Sequence, residues 1–348
     1  MNAGAALKPE AALKPGAAFN RVGVEFPRRA RRLALIAAFG CASAALFLPP
    51  VPLRRAQVDA LVVLDVTQSM NTLDAASTGE PVSRLAAAKR SLAAAVPRLP
   101  CGSKLGLGIF TEYRTYVLLA PVETCANAPE LIETIRGIDG RMAWAGGSEI
   151  AKGLYSALRA TLDLADGPGR EDVPALLFVT DGHEAPPVNP RHRPEFQGQT
   201  PAMHGVILGV GGATPRPIPK LAPDGKPLGV WQASDVLQSD LYTVGRQGSV
   251  EHEPMAAESE PAAAPPAGLR QSPGTEHLSS LHEAYLQLLA AETGLGYRRF
   301  DAALPIAKIL GDSRMAPRRV TATDLSALAA GLGLLALVVR VGLTAPRG

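Results

Sequence analysis

Five side chains that could bind a metal ion stand directly after strand-like segments or before a helix-like one. A carboxylate and two hydroxyls follow the apolar run Ala60–Leu64 at alternate positions, and a second carboxylate follows the apolar run Ala175–Thr180. A third hydroxyl comes after the glycine pair Gly146-Gly147, at the start of a helical pattern. The five residues are Asp65, Thr67, Ser69, Ser148 and Asp181.

The chemistry of this set is that of a site for a hard metal ion. Carboxylate, hydroxyl and water oxygens are the ligands that Mg2+ prefers, with Mn2+ or Ca2+ as alternatives. In an open sheet of parallel strands, ligands bind beyond the carboxyl ends of the strands, so we expect the five side chains to converge there. A structural interpretation competes with this one, in which Asp65 and Ser148 merely cap the helices that follow them.

The elements that must position these residues alternate between strands and helices. Short apolar runs predict strands at 60–65, 104–110, 115–119, 175–180, 204–210 and 296–300. Apolar residues at helical spacing predict helices at 83–92, 129–137, 148–162 and 278–292. This alternation predicts an α/β fold with a Rossmann-like, doubly wound and mostly parallel sheet.

Together, these segments resemble a von Willebrand factor type A domain from Val58 to roughly Phe300. The metal-ion-dependent adhesion site of that family is written Asp-x-Ser-x-Ser, then a Thr after paired glycines, then an Asp after a strand. The resemblance implies that Thr67, Ser69 and Ser148 touch the metal directly, while Asp65 and Asp181 hold it largely through waters. This chain has Thr67 for the first Ser and Ser148 for the usual Thr, and both substitutions keep the hydroxyl.

The resemblance also implies a function. In such a site the ion keeps an open coordination position that an acidic residue of a partner protein fills, so we expect a binding protein and not an enzyme. The order of the segments resembles the Bat-type aerotolerance proteins. The stretches Asp65–Asn71 and Arg141–Ile150 are similar to the MxaL-like proteins of methanol oxidation clusters. That similarity implies an accessory or maturation factor for a periplasmic enzyme such as methanol dehydrogenase.

An enzymatic alternative starts from the same aspartate. A Mg2+-dependent phosphatase of the haloacid dehalogenase type would use a strand-end Asp65 as its nucleophile. That family has Asp-x-Asp, whereas Thr67 stands at the second position here, and no lysine or later acidic pair follows a suitable strand. His183 and Glu184 follow Asp181 and either flank the metal or belong to a polar loop.

Two apolar segments bracket the domain. Leu33–Leu53 carries no charge and follows a basic segment, 1–32, while 325–343 is apolar except for Arg340. We expect both to be transmembrane helices of the inner membrane, with the segment 1–32 in the cytoplasm and the domain in the periplasm. For the first segment the alternative is a cleaved signal peptide.

Composition sets the remaining expectations. Thirty-five Lys and Arg against 32 Asp and Glu leave a net charge of +3, so no basic field predicts nucleic acid as a partner. We expect the domain over 58–312, with a small hairpin on its rim at 213–237. We expect a disordered insertion at 247–271, because this stretch is poor in apolar residues and rich in Ala, Pro and Glu.

Two cysteines bear on the compartment. Cys101 and Cys125 each lie 12 residues from Tyr113, which stands at the turn of a predicted hairpin. Antiparallel pairing would place them opposite each other and within disulfide range. An exported domain favours the disulfide, whereas a cytoplasmic domain favours two free thiols.

Overall fold

The structure, a computed structural model, describes most of the chain between residues 28 and 342. The described ranges are 28–75, 80–144, 146–165, 173–188, 193–194, 196, 204–222, 224–236, 275–301 and 305–342. Their helices are α1 (Arg28–Phe47), α2 (Arg84–Ala95), α3 (Ala128–Gly137), α4 (Ile150–Ala165), α5 (Glu283–Thr293), α6 (Ile306–Leu310) and α7 (Ser326–Gly342). Their strands are β1 (Val51–Ala56), β2 (Asp59–Asp65), β3 (Lys104–Thr111), β4 (Arg114–Glu123), β5 (Ala175–Thr180), β6 (Gly205–Gly209), β7 (Arg216–Pro217), β8 (Pro219–Leu221), β9 (Pro227–Val230), β10 (Leu278–Ser279), β11 (Gly296–Arg299) and β12 (Arg318–Thr323).

Six strands form the central sheet, in the order β11-β6-β5-β2-β3-β4. All neighbouring strands are parallel except β3 and β4, which pair antiparallel as a hairpin. The chain runs from β2 to β3 on one side and later adds β5, β6 and β11 on the other side of β2. The prediction of a doubly wound, mostly parallel α/β sheet is therefore confirmed.

Strand β2 lies between two hydrophobic cores because its residues are apolar on both faces. Val62 and Leu64 belong to one core, which includes buried residues of α2, α3 and α6. Leu61 and Val63 belong to the other core, which includes buried residues of α4 and α5. A strand buried on both faces shows a continuous apolar run and no alternation, which is the pattern found in the sequence.

The hairpin of β3 and β4 brings the two predicted cysteine partners together. Lys104 pairs with Glu123 at its open end. Cys101 and Cys125 lie just beyond that pair and form a disulfide, with their Cα atoms 5.2 Å apart. The prediction of this disulfide is confirmed.

Smaller strands surround the carboxyl edge of the sheet. Strands β8 and β9 pair antiparallel within the segment 213–237, where we expected a hairpin. Strand β10 pairs with β7. The prediction of a helix from Leu278 was wrong at its start, because Leu278 and Ser279 form β10 and α5 begins at Glu283. The predicted disordered insertion at 247–271 lies outside the described residues, as does most of the segment 1–32.

Helices α1 and α7 correspond to the two apolar segments. The predicted span Leu33–Leu53 is not one helix, because α1 ends at Phe47 and Val51–Ala56 is a strand. Three prolines in this stretch, Pro49, Pro50 and Pro52, are incompatible with continuing the helix. The second segment forms α7, of 17 residues. Within the described ranges, no helix combines the length and the apolar character required to cross a membrane, so the predicted transmembrane helices are not confirmed.

The chain divides into two compact units, Met1–Leu53 with Thr321–Gly348 and Arg54–Val320. In the first unit α1 and α7 pack against each other. Gly333 allows a close approach, since a Cβ at this position would lie 3.2 Å from the Cβ of Cys41. The second unit contains the central sheet and all five predicted site residues.

Candidate metal centre

The two carboxylates of the predicted site follow neighbouring strands at the same edge of the sheet. Asp65 is the last residue of β2, and Asp181 comes directly after β5. These strands pair in parallel, with Leu64 opposite Val179. Immediately after Asp181 the chain turns at Gly182, whose φ of +77° is a conformation that favours glycine. Since the strand order reverses at β2 and β5, this edge is where open α/β sheets bind ligands.

Hydroxyl groups hold Asp65. The Thr67 hydroxyl donates to its Oδ1 at 2.6 Å, the Thr67 backbone N–H donates to the same atom at 2.8 Å, and the Thr180 hydroxyl donates to Oδ2 at 2.6 Å. The Oγ of Ser69 lies 3.4 Å from the Oγ1 of Thr67. Burial and the charge of Asp181 raise the pKa of Asp65 to about 7, because the hydroxyls only partly offset these two effects. Asp65 thus has hydrogen-bond donors around it but lacks a neutralising cation.

A cation holds Asp181. The Arg84 guanidinium donates to its Oδ2 at 2.5 Å, the Ser279 hydroxyl lies 3.2 Å from the same oxygen, and the His183 backbone N–H donates to Oδ1 at 2.9 Å. Although burial opposes ionisation, the Arg84 guanidinium holds the pKa of Asp181 below its usual value.

Arg84 is a residue that the sequence analysis missed. Its side chain is fully buried, and its Nε and Nη2 donate to the two carboxylate oxygens of Asp74 at 2.8 and 2.7 Å. Arg84 is the first residue of α2, which Ser83 caps by accepting from the backbone N–H of Ala86. A cation is unfavourable at a helix N-terminus, where the helix dipole prefers negative charge. That position was the available signal that Arg84 needs carboxylate partners.

Ser148 reaches the site from the loop that precedes α4. Its backbone N–H donates to the carbonyl of Ala185 at 2.7 Å, and the N–H of Ala185 donates back to the Ser148 carbonyl at 2.9 Å. The next residue, Glu149, donates from its backbone to the carbonyl of Glu112 at 2.6 Å. Backbone bonds on both sides therefore fix the position of Ser148 between the end of β3 and the loop after β5.

The hydroxyl of Ser148 is the clearest sign of a missing ligand. Ser148 is 3% exposed, and its Oγ has no hydrogen-bond partner within the described part of the chain. It lines the same cleft as Thr67 and Ser69. A buried hydroxyl without a partner is costly, and a metal ion in the cleft would satisfy it. The helix-cap interpretation gives no account of this atom, since a capping hydroxyl accepts a hydrogen bond.

The donor set fits a hard divalent cation. Three hydroxyls, of Thr67, Ser69 and Ser148, line the cleft, and the Thr67 hydroxyl donates to the Asp65 carboxylate. Across the described residues, no group of three or more His, Cys, Asp and Glu side chains could hold a metal. A metal here would therefore depend on hydroxyl ligands and waters, which suits Mg2+ far better than a softer ion such as Zn2+.

The cleft has a volume of about 210 Å3 and extends past the hydroxyls to His183, Trp231 and Glu276. The Nε2 of His183 lies 3.1 Å from the backbone carbonyl of Glu276. Burial lowers the pKa of His183 to about 4, so the imidazole is neutral. Sequence analysis missed Trp231 and Glu276 because both lie in segments without helix or strand periodicity.

The sequence analysis left the roles of His183 and Glu184 open, and the structure separates these two residues. Glu184 accepts a hydrogen bond from the Tyr285 hydroxyl at 2.5 Å and from the backbone N–H of Ala151 at 3.2 Å. Burial raises the pKa of Glu184 to about 7. Glu184 is therefore a structural acid in the core around α5 and does not line the cleft, whereas His183 does.

The sequence matches no protein-family model and no curated protein. The similarities that exist are to solved structures at low sequence identity.

Bat-type proteins are among these structures. BatB from Bacteroides thetaiotaomicron is 17% identical with a TM-score of 0.44, and the match covers 73% of this chain and 95% of the BatB chain. An aerotolerance-related membrane protein from Bacteroides fragilis is 18% identical with a TM-score of 0.43, and the match covers 72% of this chain and 96% of that protein. A membrane-spanning protein from Vibrio fischeri is 17% identical with a TM-score of 0.27, and the match covers 72% of this chain and 94% of that protein. Solved structures of Bat-type proteins are thus among those similar to this chain, but these identities and TM-scores are too low to transfer a site or a function.

Proposed function

We propose that this protein binds one divalent metal ion, preferably Mg2+, and captures a partner protein through an acidic residue of that partner. The observation that carries the proposal is the buried, unpartnered Oγ of Ser148, which lines the same cleft as the hydroxyls of Thr67 and Ser69. The hydrogen bond from the Thr67 hydroxyl to Asp65 supports it, as does the parallel pairing of β2 and β5, whose carboxyl ends carry Asp65 and Asp181.

The charges around the site explain why a carboxylate would be attracted. Arg84 pairs with both Asp181 and Asp74, so its single charge offsets only part of theirs. Among the described residues, Asp65 is in no ion pair and is held by hydroxyl and backbone donors. When bound, Mg2+ would supply an open coordination position, since the side chains that line the cleft beside it are uncharged hydroxyls. A partner's carboxylate is the hard oxygen ligand that such a position favours.

We also propose that the protein is attached to a membrane and that its sheet domain faces the periplasm. The disulfide between Cys101 and Cys125 supports an oxidising compartment. Large exposed apolar side chains on α1 and α7, such as Phe39, Phe47 and Leu334, support contact with lipid. The partner we propose is a periplasmic enzyme such as methanol dehydrogenase, for which this protein would act as an accessory or maturation factor.

The phosphatase alternative gains no support at its key residue. Both carboxylate oxygens of Asp65 already accept hydrogen bonds, from Thr67 and Thr180. The second acid of the phosphatase pattern is replaced by Thr67, whose hydroxyl donates to Asp65.

Replacement of Asp65 tests the proposed function. We expect Asp65→Ala to abolish Mg2+-dependent capture of proteins from a periplasmic extract, while the circular dichroism spectrum stays native. Asp312→Ala, a change of an acid in a loop before β12, is the matched control and should keep full capture. If Asp65→Ala unfolds the chain, Asp65→Asn replaces it. Capture that persists in EDTA, or in a folded Asp65 variant, would contradict the proposal.

A further inference from the structure

The cleft continues beyond the hydroxyls to a second group of buried polar atoms that the metal centre does not use. Glu276 is 3% exposed and His183 is 5% exposed, and both line the cleft together with Trp231. Three of their atoms are buried with no hydrogen-bond partner within the described ranges, namely the Oε2 of Glu276, the Nδ1 of His183 and the Nε1 of Trp231. Buried polar atoms without partners are uncommon in folded proteins, so three that line one cleft indicate a ligand.

The chemistry of these atoms specifies what the ligand carries. The Oε2 of Glu276 is a hydrogen-bond acceptor. The Nε2 of His183 faces a carbonyl oxygen and donates to it. The Nε1 of Trp231 is a donor and suits a backbone carbonyl. A group with several N–H donors and a positive charge would satisfy the Glu276 carboxylate.

The charge of the cleft leads to the same conclusion. Its described lining contains the acids Glu276 and Asp235 but neither lysine nor arginine. Asp235 is already paired, since Lys220 lies 3.3 Å from its Oδ2 and the backbone N–H of Gln232 donates to the same atom at 3.2 Å. Among the described residues, Glu276 is therefore the lining acid for which no cationic partner is found.

The size of the cleft limits the ligand. About 210 Å3 is less than the ~300 Å3 at which pockets for drug-sized molecules begin, but it holds one or two side chains. A second metal ion is a poor fit, because one carboxylate and one imidazole are fewer ligands than a metal site needs.

We propose that the segment recognised by this protein carries an arginine or lysine close to its metal-binding acidic residue, and that Glu276 receives this cation. The proposal rests on the proposed function, since the acidic residue of the segment is placed at the metal centre. The protein would then select partners by a pair of opposite charges, with Trp231 donating to the backbone between them.

Matched peptides test this selection. The probes are acetylated and amidated peptides in which Asp and Arg are adjacent or separated by one or two glycines, each with a counterpart that has neutral citrulline for Arg. Calorimetric titrations use the full chain with Mg2+. For at least one spacing we expect the Arg peptide to bind at least about tenfold more tightly than the citrulline peptide. In Glu276→Gln this preference should fall to about one, whereas Glu133→Gln, the same change at a surface acid of α3 that pairs with Arg136, should keep it.

The outcomes separate the two proposals. Equal Mg2+-dependent affinity for Arg and citrulline peptides at every spacing would overturn the inference and leave the metal-dependent function standing. A preference that persists in a Glu276→Gln protein with an unchanged melting temperature would also overturn it. If no peptide binds in a Mg2+-dependent manner, the proposed function fails and the inference fails with it.

Discussion

The carboxyl ends of β2 and β5 each carry one buried aspartate, but the protein stabilises the two in different ways. Asp65, the last residue of β2, is held by the hydroxyls of Thr67 and Thr180, and its pKa is raised to about 7. Asp181, directly after β5, is held by the Arg84 guanidinium, and its pKa is lowered. The protein thus pairs one acid with its own cation and leaves the other to an external one. Because Arg84 also pairs with Asp74, three carboxylates share one guanidinium, and the surplus negative charge at this edge of the sheet favours a cation.

Removal of the internal cation should have the largest effect. Arg84→Met leaves Asp181 and Asp74 buried without a counter-charge, so we expect a loss of about 3–5 kcal/mol in the free energy of unfolding, measured with urea. Added Mg2+ should recover part of this loss, because Asp181 can then take the external cation.

The matched control for this variant is Arg136→Met. Arg136 pairs with Glu133 on the surface of α3, where both side chains are mostly exposed, so its loss should hardly change stability. If Arg84→Met changes the free energy of unfolding as little as Arg136→Met does, Arg84 does not account for the difference between Asp65 and Asp181.

Replacement of Glu184 should have the next largest effect on stability. Glu184 is a third buried acid, to be compared with Asp65 and Asp181. Its pKa is raised from 4.5 to about 7 by burial, so the folded state binds more protons than the unfolded state between these values. The contribution of Glu184 to stability should therefore be largest below pH 4.5, fall by roughly 3 kcal/mol as the pH rises to about 7, and change no further above it. The difference between wild type and Glu184→Gln, measured by urea unfolding at each pH, should follow this course.

Glu123 provides a control of opposite sign. Backbone N–H donors of Ala126 and Gly102 lower its pKa, so its contribution is present at neutral pH and is lost as the pH falls. If the free energies of unfolding of wild type and Glu184→Gln differ by the same amount at every pH from 4 to 8, Glu184 is not the buried acid described here.

The smallest expected effect comes from the hydroxyls around Asp65. Thr180→Val removes the donor to Oδ2 of Asp65 and the acceptor of the Gly182 N–H, which should cost about 1–2 kcal/mol and weaken Mg2+ binding severalfold. Thr161→Val is the control, because the hydroxyl of Thr161 bonds only to the carbonyl of Ala157 within α4. Equal Mg2+ affinities of the two variants would mean that Thr180 does not help to organise the site.

The sequence predicted the sheet because its strands follow strong local patterns. Continuous apolar runs mark strands that are buried on both faces, and Asp65 and Asp181 stand where such runs end. The hairpin centred near Tyr113 placed the disulfide correctly. These features follow from residue types and spacing alone.

The missed features depend on contacts between distant segments. Arg84 belongs to an ordinary helical pattern, and only the fold shows that Asp181, 97 residues later, is its partner. Glu276 lies just before β10, a strand of two residues that pairs with β7, and no periodicity marks so short an element. The end of α1 was misplaced because hydropathy outweighed the three prolines that follow it.

The most direct test of the metal centre is a calorimetric titration of Mg2+ into the full chain after treatment with EDTA and dialysis. We predict one ion per chain for the wild type and at least about a tenfold weaker affinity for Ser148→Ala, because that variant loses the unpartnered hydroxyl of the cleft. Ser103→Ala, a buried serine that precedes β3 at the opposite edge of the sheet, should bind like the wild type. No saturable binding by the wild type, or equal affinity in Ser148→Ala, would contradict the account.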